Sequence, residues 1–290
     1  MLGIVGESGS GKSVTAYSVM GLTAYPGKLI GGTINFNGHQ IDKMAEKEFR
    51  AIRGNEVSII FQDPMTSLNP LKKVGMQIQE SIELHQGLDK AAAKAEAIRM
   101  LDIVGIPNPE VRYNQYPHEF SGGMRQRAVI AIAVACHPDI LICDEPTTAL
   151  DVTIQAQILD LIRKLQKNLG MTIIYITHDL GVVANVADRV AVMYAGQIVE
   201  IGMAEEIFYD AWHPYTWALL SALPQLGIKG EKLPTIDGTP PNLFNKITGD
   251  AVETIVGGSP NHSFAVHHHH DHKYQNHRER QIGRASCRER

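Results

Sequence analysis

A glycine-rich segment near the start of the chain carries the clearest chemical signal. It fits the pattern GxxxxGK[ST] between an apolar run at residues 2–5 and a helical pattern at residues 12–22, and it reads Gly6-Glu7-Ser8-Gly9-Ser10-Gly11-Lys12-Ser13. Glycines let consecutive backbone N–H groups turn toward a phosphate, and the following helix adds the positive end of its dipole. The sequence therefore predicts a nucleotide site, with Lys12 at the β- and γ-phosphates and the Ser13 hydroxyl on Mg²⁺.

Two adjacent carboxylates follow a second apolar run, at residues 140–143. In α/β folds ligands bind at the carboxyl ends of the strands, which is where Asp144 and Glu145 would lie. We assign Asp144 to the metal and Glu145 to the attacking water as general base. Adjacent acids at a strand end are also common on ordinary surfaces, so this assignment depends on the glycine loop beside it.

A second glycine turn, Ser121-Gly122-Gly123, opens another predicted helix at residues 121–136. This geometry also suits a phosphate. One chain does not need two such loops for one nucleotide, so we interpret the second as serving the ATP of a partner chain. The simpler alternative is a serine N-cap with no ligand.

The rest of the sequence alternates strand and helix patterns, which predicts a largely parallel sheet covered on both faces. Further strands are predicted at residues 33–36, 57–61, 171–176, 189–193 and 197–201. Residues 76–136 contain helical patterns only, with helices predicted at 76–85, 90–104 and 121–136. We therefore expect a helical subdomain inserted into an α/β core.

Composition excludes some classes of function. The formal net charge of the 290 residues is −4, which gives no basic surplus for nucleic acid, so no nucleic-acid partner is expected. The longest apolar stretch, residues 128–136, is about half of the ~20 residues that span a bilayer. If the protein works at a membrane, partner subunits are expected to hold it there.

Together these motifs resemble the ATP-binding cassette (ABC) ATPases. SGGMRQR at residues 121–127 resembles the family's signature loop, Gln62 its glutamine loop, Ala149-Leu150-Asp151 its dimer-seam loop and His178 its switch histidine. The resemblance implies a P-loop NTPase (RecA-like) parallel-sheet core with an inserted α-helical subdomain. It also implies catalysis by Glu145, His178 and Gln62, Mg²⁺ held by Ser13, Gln62 and Asp144, and nucleotide contacts from residues 6–13, 121–123 and Asp151.

A subgroup resemblance, to the ATP-binding subunits of oligopeptide and dipeptide importers, rests on FQDPMTSLNP at residues 61–70, DVTIQAQ at 151–157, HPYT at 213–216 and IDGTPP at 236–241. It implies ATP-driven peptide import by a head-to-tail dimer of nucleotide-binding subunits at the cytoplasmic face of the cell membrane. The partners would be transmembrane permease subunits and, indirectly, a peptide-binding protein. Import of nickel or another small solute, a non-transport soluble ABC ATPase and an ATP sensor without turnover are the alternatives.

The resemblance also divides the chain. Residues 1–75 and 139–224 are predicted to form the ATP-binding core, 76–138 the helical subdomain, 225–245 the peptide-importer extension and 246–290 a tail outside the fold. The family's adenine-stacking aromatic strands do not precede residue 2, so we expect an N-terminally truncated chain. No cysteine lies between Cys143 and Cys287, so no iron–sulfur cluster is expected.

Overall fold

The computed structural model describes residues 1–148 and 150–222, except for the side chain of Met65. Three sequence predictions concern residues outside the described ones. They are the importer extension at 225–245, the tail at 246–290 with its histidines, and the absence of an iron–sulfur cluster. Ala149 of the predicted dimer-seam loop also lies outside the described residues. The division of the chain into domains stays a prediction.

A six-stranded sheet forms the centre, in the order β4-β5-β6-β1-β7-β8. Adjacent strands of this sheet pair in parallel, except β7 and β8, which pair antiparallel at one edge. A separate two-stranded ribbon joins β2 and β3. The strands are β1 Leu2–Val5, β2 Asn35–Phe36, β3 His39–Gln40, β4 Val57–Ile60, β5 Ile140–Asp144, β6 Thr172–Thr177, β7 Arg189–Tyr194 and β8 Gln197–Met203.

Helices cover both faces of this sheet, as continuous apolar strands require. They are α1 Lys12–Val19, α2 Glu46–Ile52, α3 Pro64–Ser67, α4 Val74–Gln86, α5 Lys90–Ile103, α6 Pro109–Tyr113, α7 Gly122–Val134, α8 Val152–Leu169, α9 Leu180–Val186, α10 Ala204–Tyr209 and α11 Pro214–Ser221, with short 3₁₀ turns at Ile41–Lys43 and Pro117–Glu119. The largely parallel sheet and the α/β class predicted from the sequence are confirmed.

Helix α1 ends three residues before the predicted end at residue 22. Gly21 has a φ of 60°, a left-handed conformation that stops the helix. The Arg53 guanidinium donates to the carbonyl oxygens of Met20 and Gly21, at 2.7 and 3.3 Å, so these carbonyls remain paired outside the helix. The strand predicted at 33–36 is also shorter, because only Asn35–Phe36 pairs with β3.

Helices α4 to α7 lie together between β4 and β5 in the chain, where no strand was predicted. Their buried side chains, among them Ile78, Leu101 and Ile130, join those of β5, β6 and α8 in one hydrophobic cluster. The helical segment is therefore continuous with the core rather than a separate packing unit. Within the described residues no helix is long and apolar enough to cross a membrane.

The antiparallel edge carries a second hydrophobic cluster. Val192 and Tyr194 of β7 pack there with Ile207 of α10 and with Tyr215 and Leu220 of α11. The end of the described chain thereby packs against β7, the neighbour of β1. The carboxyl end of β1 leads into the glycine loop.

Candidate nucleotide site

The glycine loop, residues 6–13, runs from the end of β1 into the first turn of α1, as predicted. Gly6 has a φ of 155°, and a Cβ there would lie 2.1 Å from the carbonyl oxygen of Met193 in β7. Gly11 precedes α1 with a φ of 97° and provides no side-chain cap. The loop conformation thus requires glycine, and the first N–H groups of α1 remain available to an anion.

Lys12 points back into the loop. Its side chain is buried, and Nζ donates to the carbonyl oxygens of Gly6 and Glu7, each at 2.8 Å. Burial lowers the pKa of Lys12, and the carboxylates of Glu145 and Asp144 partly oppose that shift. An ammonium has three N–H donors, so one remains for a phosphate oxygen held in the loop.

Asp144 and Ser13 meet at the base of the loop. The Ser13 hydroxyl donates to Oδ1 of Asp144 at 2.8 Å, whereas Oδ2 is buried and has no hydrogen-bond partner among the described residues. Burial is the main cause that raises the pKa of Asp144. Burial and the charge of Asp144 also raise the pKa of Tyr17 to about 12. A fully buried carboxylate oxygen without a partner fits a site that a cation completes.

Glu145 follows β5 and contacts polar side chains that follow the two neighbouring strands. Gln62 Nε2 donates to its Oε2 at 3.1 Å, and His178 Nδ1 lies 3.2 Å from its Oε1. These residues follow the neighbouring strands β4 and β6, so the parallel register brings all three to one edge. Glu145 itself has a φ of 46°, an uncommon conformation for a residue with a side chain, and such residues concentrate at functional sites.

Thr148 is a member of this cluster that the sequence did not single out. Its hydroxyl donates to Oε2 of Glu145 at 3.0 Å, and its backbone N–H donates to the carbonyl oxygen of Glu145 at 3.3 Å. The available signal was its position three residues after Glu145, which lets a turn fold back on the carboxylate. Its role cannot be recognised until that turn is known.

The second glycine turn is not part of this cluster. Ser121 is the N-cap of α7 and accepts from the N–H of Met124 at 3.3 Å, while Gly122 is exposed. Within residues 1–148 and 150–222, no hydrogen bond joins Ser121, Gly122 or Gly123 to the glycine loop. Ser121 is therefore an N-cap, and its side chain lies on the surface.

Asp151 lies beside this second turn. It is the exposed N-cap of α8, where it accepts from the N–H of Ile154 at 3.0 Å. A Cβ on Gly123 would lie 3.1 Å from the side chain of Ile154, so the start of α7 contacts the start of α8. The residues predicted to serve a partner's nucleotide thus form one group at the start of these helices, in which Ser121, Gly122 and Asp151 are exposed and Gly123 is half-buried.

Comparison with known proteins identifies the family. Residues 1–148 match the ABC transporter family, and residues 199–249 match the C-terminal region of oligopeptide/dipeptide transporters. The chain belongs to the ABC transporter family. The family predicted from the motifs is confirmed, and the glycine loop lies within the matched residues.

Curated relatives lie within the predicted subgroup. The oligopeptide transport ATP-binding protein OppD of Bacillus subtilis is 61% identical over 252 residues, which cover 86% of this chain and 70% of that protein. The dipeptide transport ATP-binding protein DppD of the same organism is 57% identical, over 85% of this chain and 74% of that protein.

A solved structure agrees with the fold. The ATP-binding cassette MJ0796, in a dimeric post-hydrolysis state bound to ADP and Pi, superposes with a TM-score of 0.62 at 26% identity, over 70% of this chain and 85% of that one. The P-loop NTPase fold predicted from the sequence is confirmed.

Proposed function

We propose that this chain hydrolyses ATP to power the import of oligopeptides or dipeptides. The observation that carries the proposal is the contact of Glu145 with Gln62 and His178, beside the hydrogen bond of Ser13 with the buried Asp144. Glu145, His178 and Asp144 thus lie at the carboxyl ends of neighbouring strands. The adjacent glycine loop has backbone N–H groups that can bind phosphates.

In the proposed reaction a water oxygen bonds to the γ-phosphorus while the bond to the β–γ bridging oxygen breaks. Glu145 accepts the proton of the water, and the ADP oxygen takes the electron pair of the broken bond. A carboxylate accepts at about four lone-pair positions, so three protein contacts leave room for the water. Lys12 and the N–H groups of the loop stabilise charge on the phosphate oxygens, and His178 orients Glu145 through Oε1.

Ser13, Asp144 and Gln62 would hold Mg²⁺, which when bound neutralises charge on the β- and γ-phosphates. Their hydroxyl, carboxylate and amide oxygens are the hard ligands that this ion prefers. The unpartnered Oδ2 of Asp144 supports the assignment.

We further propose that two nucleotide-binding subunits, identical or homologous, pair head to tail. The group of Ser121, Gly122, Gly123 and Asp151 would then complete the nucleotide site of the partner chain. A second observation favours this arrangement: among the described residues, the side chains of Ser121 and Asp151 hydrogen-bond only as helix caps. Gln62 and the segment after it would contact transmembrane permease subunits, which hold the chain peripherally at the cytoplasmic face of the membrane.

Peptides are the proposed solute because residues 199–249 match the oligopeptide/dipeptide transporter C-terminal region. The test is to reconstitute the complete chain with its permease and peptide-binding subunits in liposomes and to measure ATP hydrolysis and uptake. Peptides are expected to stimulate hydrolysis in the parent and not in Glu145→Gln. Stimulation by a nickel chelate and not by peptides would contradict the solute assignment, and hydrolysis unaffected by any solute or permease would contradict the transport role.

A further inference from the structure

Two buried tyrosines lie next to each other at the antiparallel edge of the sheet. Tyr194 ends β7 and Tyr215 begins α11, and their ring centroids are 4.3 Å apart. Both rings are almost fully buried, at 1% and 2% exposure, in the same hydrophobic cluster. Their hydroxyls differ, because that of Tyr194 has no hydrogen-bond partner among the described residues, whereas that of Tyr215 has one.

The partner of Tyr215 is the glycine loop. The backbone N–H of Glu7 donates to the Tyr215 hydroxyl at 3.2 Å, across 208 positions of sequence. The carbonyl oxygen of the same residue accepts from Lys12 Nζ at 2.8 Å. Glu7 is thus fixed on one side by α11 and on the other by Lys12.

The position of Tyr215 is itself well determined. Pro214 stands at the first turn of α11, and the His213 side chain accepts from the N–H of Tyr215 at 3.2 Å. The Glu200 carboxylate of β8 in turn accepts from the N–H of His213 at 3.1 Å. Burial raises the pKa of Tyr215 to about 12, so its hydroxyl is neutral at physiological pH.

We propose that Tyr215 is a positioning residue that holds the glycine loop through the N–H of Glu7 and thereby sets the affinity for nucleotide. The proposal rests on the nucleotide site proposed above. Helix α11 lies within residues 199–249, which match the C-terminal region of peptide transporters. Under this proposal the helix stabilises the conformation of the ATP site. The loop also rests on the β7–β8 turn, where the N–H of Gly196 donates to the carbonyl oxygen of Ser10 at 3.0 Å, so the loss of one contact weakens the site without abolishing it.

The test compares the same chemical change at the two tyrosines. Tyr215→Phe removes the hydroxyl that holds the loop, and Tyr194→Phe removes a neighbouring hydroxyl without a partner. ATP dissociation constants are measured by calorimetry on the complete chain, with Lys12→Ala as a reference for loss of the phosphate site. A single neutral hydrogen bond contributes about 0.5–1.5 kcal/mol, so Tyr215→Phe is expected to raise the dissociation constant about 2- to 12-fold. Tyr194→Phe is expected to change it less than about twofold.

Steady-state hydrolysis in the assembled transporter separates positioning from a general loss of structure. Tyr215→Phe is expected to raise KM for ATP with kcat nearly unchanged, because the Tyr215 hydroxyl contacts Glu7 and, among the described residues, makes no hydrogen bond to Glu145. Tyr215→Trp is not expected to restore KM, because an indole N–H cannot accept a hydrogen bond. Equal affinities for both phenylalanine variants and the parent would overturn the proposal while leaving the nucleotide site intact. Parent-like binding by Lys12→Ala would instead overturn the nucleotide site.

Amide hydrogen exchange gives a measurement that does not depend on the variant folding. In the parent, the amide of Glu7 is expected to be protected more than about tenfold relative to that of the exposed Gly9. Exchange of Glu7 at the rate of Gly9 would show that the hydroxyl does not hold the loop. If Tyr215→Phe does not fold, this comparison in the parent and in Tyr194→Phe decides the proposal.

Discussion

The two glycine turns of this protein differ in how far one chain completes them. At the first, Ser13 and Asp144 are in contact, and Glu145 is held by Gln62, Thr148 and His178. At the second, within residues 1–148 and 150–222, the side chains of Ser121 and Asp151 hydrogen-bond only to N–H groups of the helices that they cap. Both turns open a helix, yet only the first is surrounded by groups able to carry out chemistry.

This difference follows from the topology. The first turn lies at the carboxyl end of β1, and β5 and β6 end at the same edge of the sheet, with β4 beside them. Parallel pairing therefore brings their terminal residues together. The second turn begins α7, which packs on the sheet with its apolar side and leaves its N-terminus on the surface. Under the proposed function, the second turn acts only when a partner chain covers it.

The largest expected effect is a loss of ATP hydrolysis caused by a substitution in the first region. Glu145→Gln keeps the shape of the side chain but removes the base, so hydrolysis is expected to fall by about 10²–10⁴-fold while ATP binding persists. ATPase assays and calorimetry on the assembled protein check both parts. Glu205→Gln, at an exposed position of α10, is the matched control and is expected to behave as the parent. Hydrolysis within a few-fold of the parent would remove Glu145 from the role of base.

A mixing experiment tests whether the second region serves a different chain. Lys12→Ala and Ser121→Ala homodimers each carry a lesion in both sites, and both are expected to hydrolyse ATP poorly. In a mixed dimer both lesions fall on one site and the other is intact, so random mixing restores about a quarter of the sites. Recovery of ATPase toward that level is the expected result. Activity that stays at the average of the two variants at every mixing ratio would contradict the shared site.

A smaller decrease in kcat is expected for a substitution of Thr148. It tests whether the hydrogen bond of Thr148 to Glu145 contributes to catalysis. Thr148→Val removes one hydrogen bond to Glu145, so kcat is expected to fall about 3- to 10-fold with little change in ATP affinity. Thr148→Ser retains the hydroxyl and is expected to restore most of kcat. An equally low kcat in the serine variant would show that the threonine methyl group, and not the hydrogen bond, matters.

The sequence predicts the first region better than the second. The glycine loop, Asp144 and Glu145 follow recognisable strands, and the spacing of GxxxxGK[ST] constrains the backbone directly, so their neighbourhood could be predicted. Gln62 and His178 could be placed only through the family resemblance, because a lone glutamine or histidine after a strand has many ordinary roles. The sheet order that brings β4, β5 and β6 together is a long-range property that local patterns do not encode.

Contacts made through turns and distant helices could not be predicted at all. Thr148 reaches Glu145 because the intervening turn folds back, and Tyr215 reaches Glu7 from the far end of the described chain. Neither residue carries a distinctive local pattern for that role. The end of α1 was predicted wrongly for a similar reason, since the left-handed conformation of Gly21 and the contacts of Arg53 with the carbonyl groups of Met20 and Gly21 depend on residues distant in sequence.

The last and smallest expected effect concerns stability. Replacing a carboxylate by an amide is expected to raise the melting temperature at the first region but not at the second. Asp144 has no exposed surface, and its Oδ2 has no partner among the described residues. Burial raises its pKa, so the folded state holds the proton more tightly than the unfolded chain does, and a stability cost appears as pH rises through the folded-state pKa. Asp144→Asn removes that cost while Ser13 keeps an acceptor. Without nucleotide or Mg²⁺, the variant is expected to melt about 2–6 °C above the parent at pH 7 and to lose most of this advantage under acid conditions, where Asp144 is protonated.

Thermal unfolding at neutral and acid pH measures this difference. Asp102→Asn, at an exposed position of α5, is the matched control and is expected to leave the melting temperature unchanged. The same comparison at the second region, with Asp151→Asn, is expected to lower the melting temperature slightly or leave it unchanged, because that carboxylate is exposed and caps α8. A lower melting temperature for Asp144→Asn at pH 7 would mean that Asp144 stabilises the fold through a contact with Lys12 or Tyr17. The buried carboxylate would then be a structural group, and the argument that its unpartnered oxygen fits a cation would lose its support.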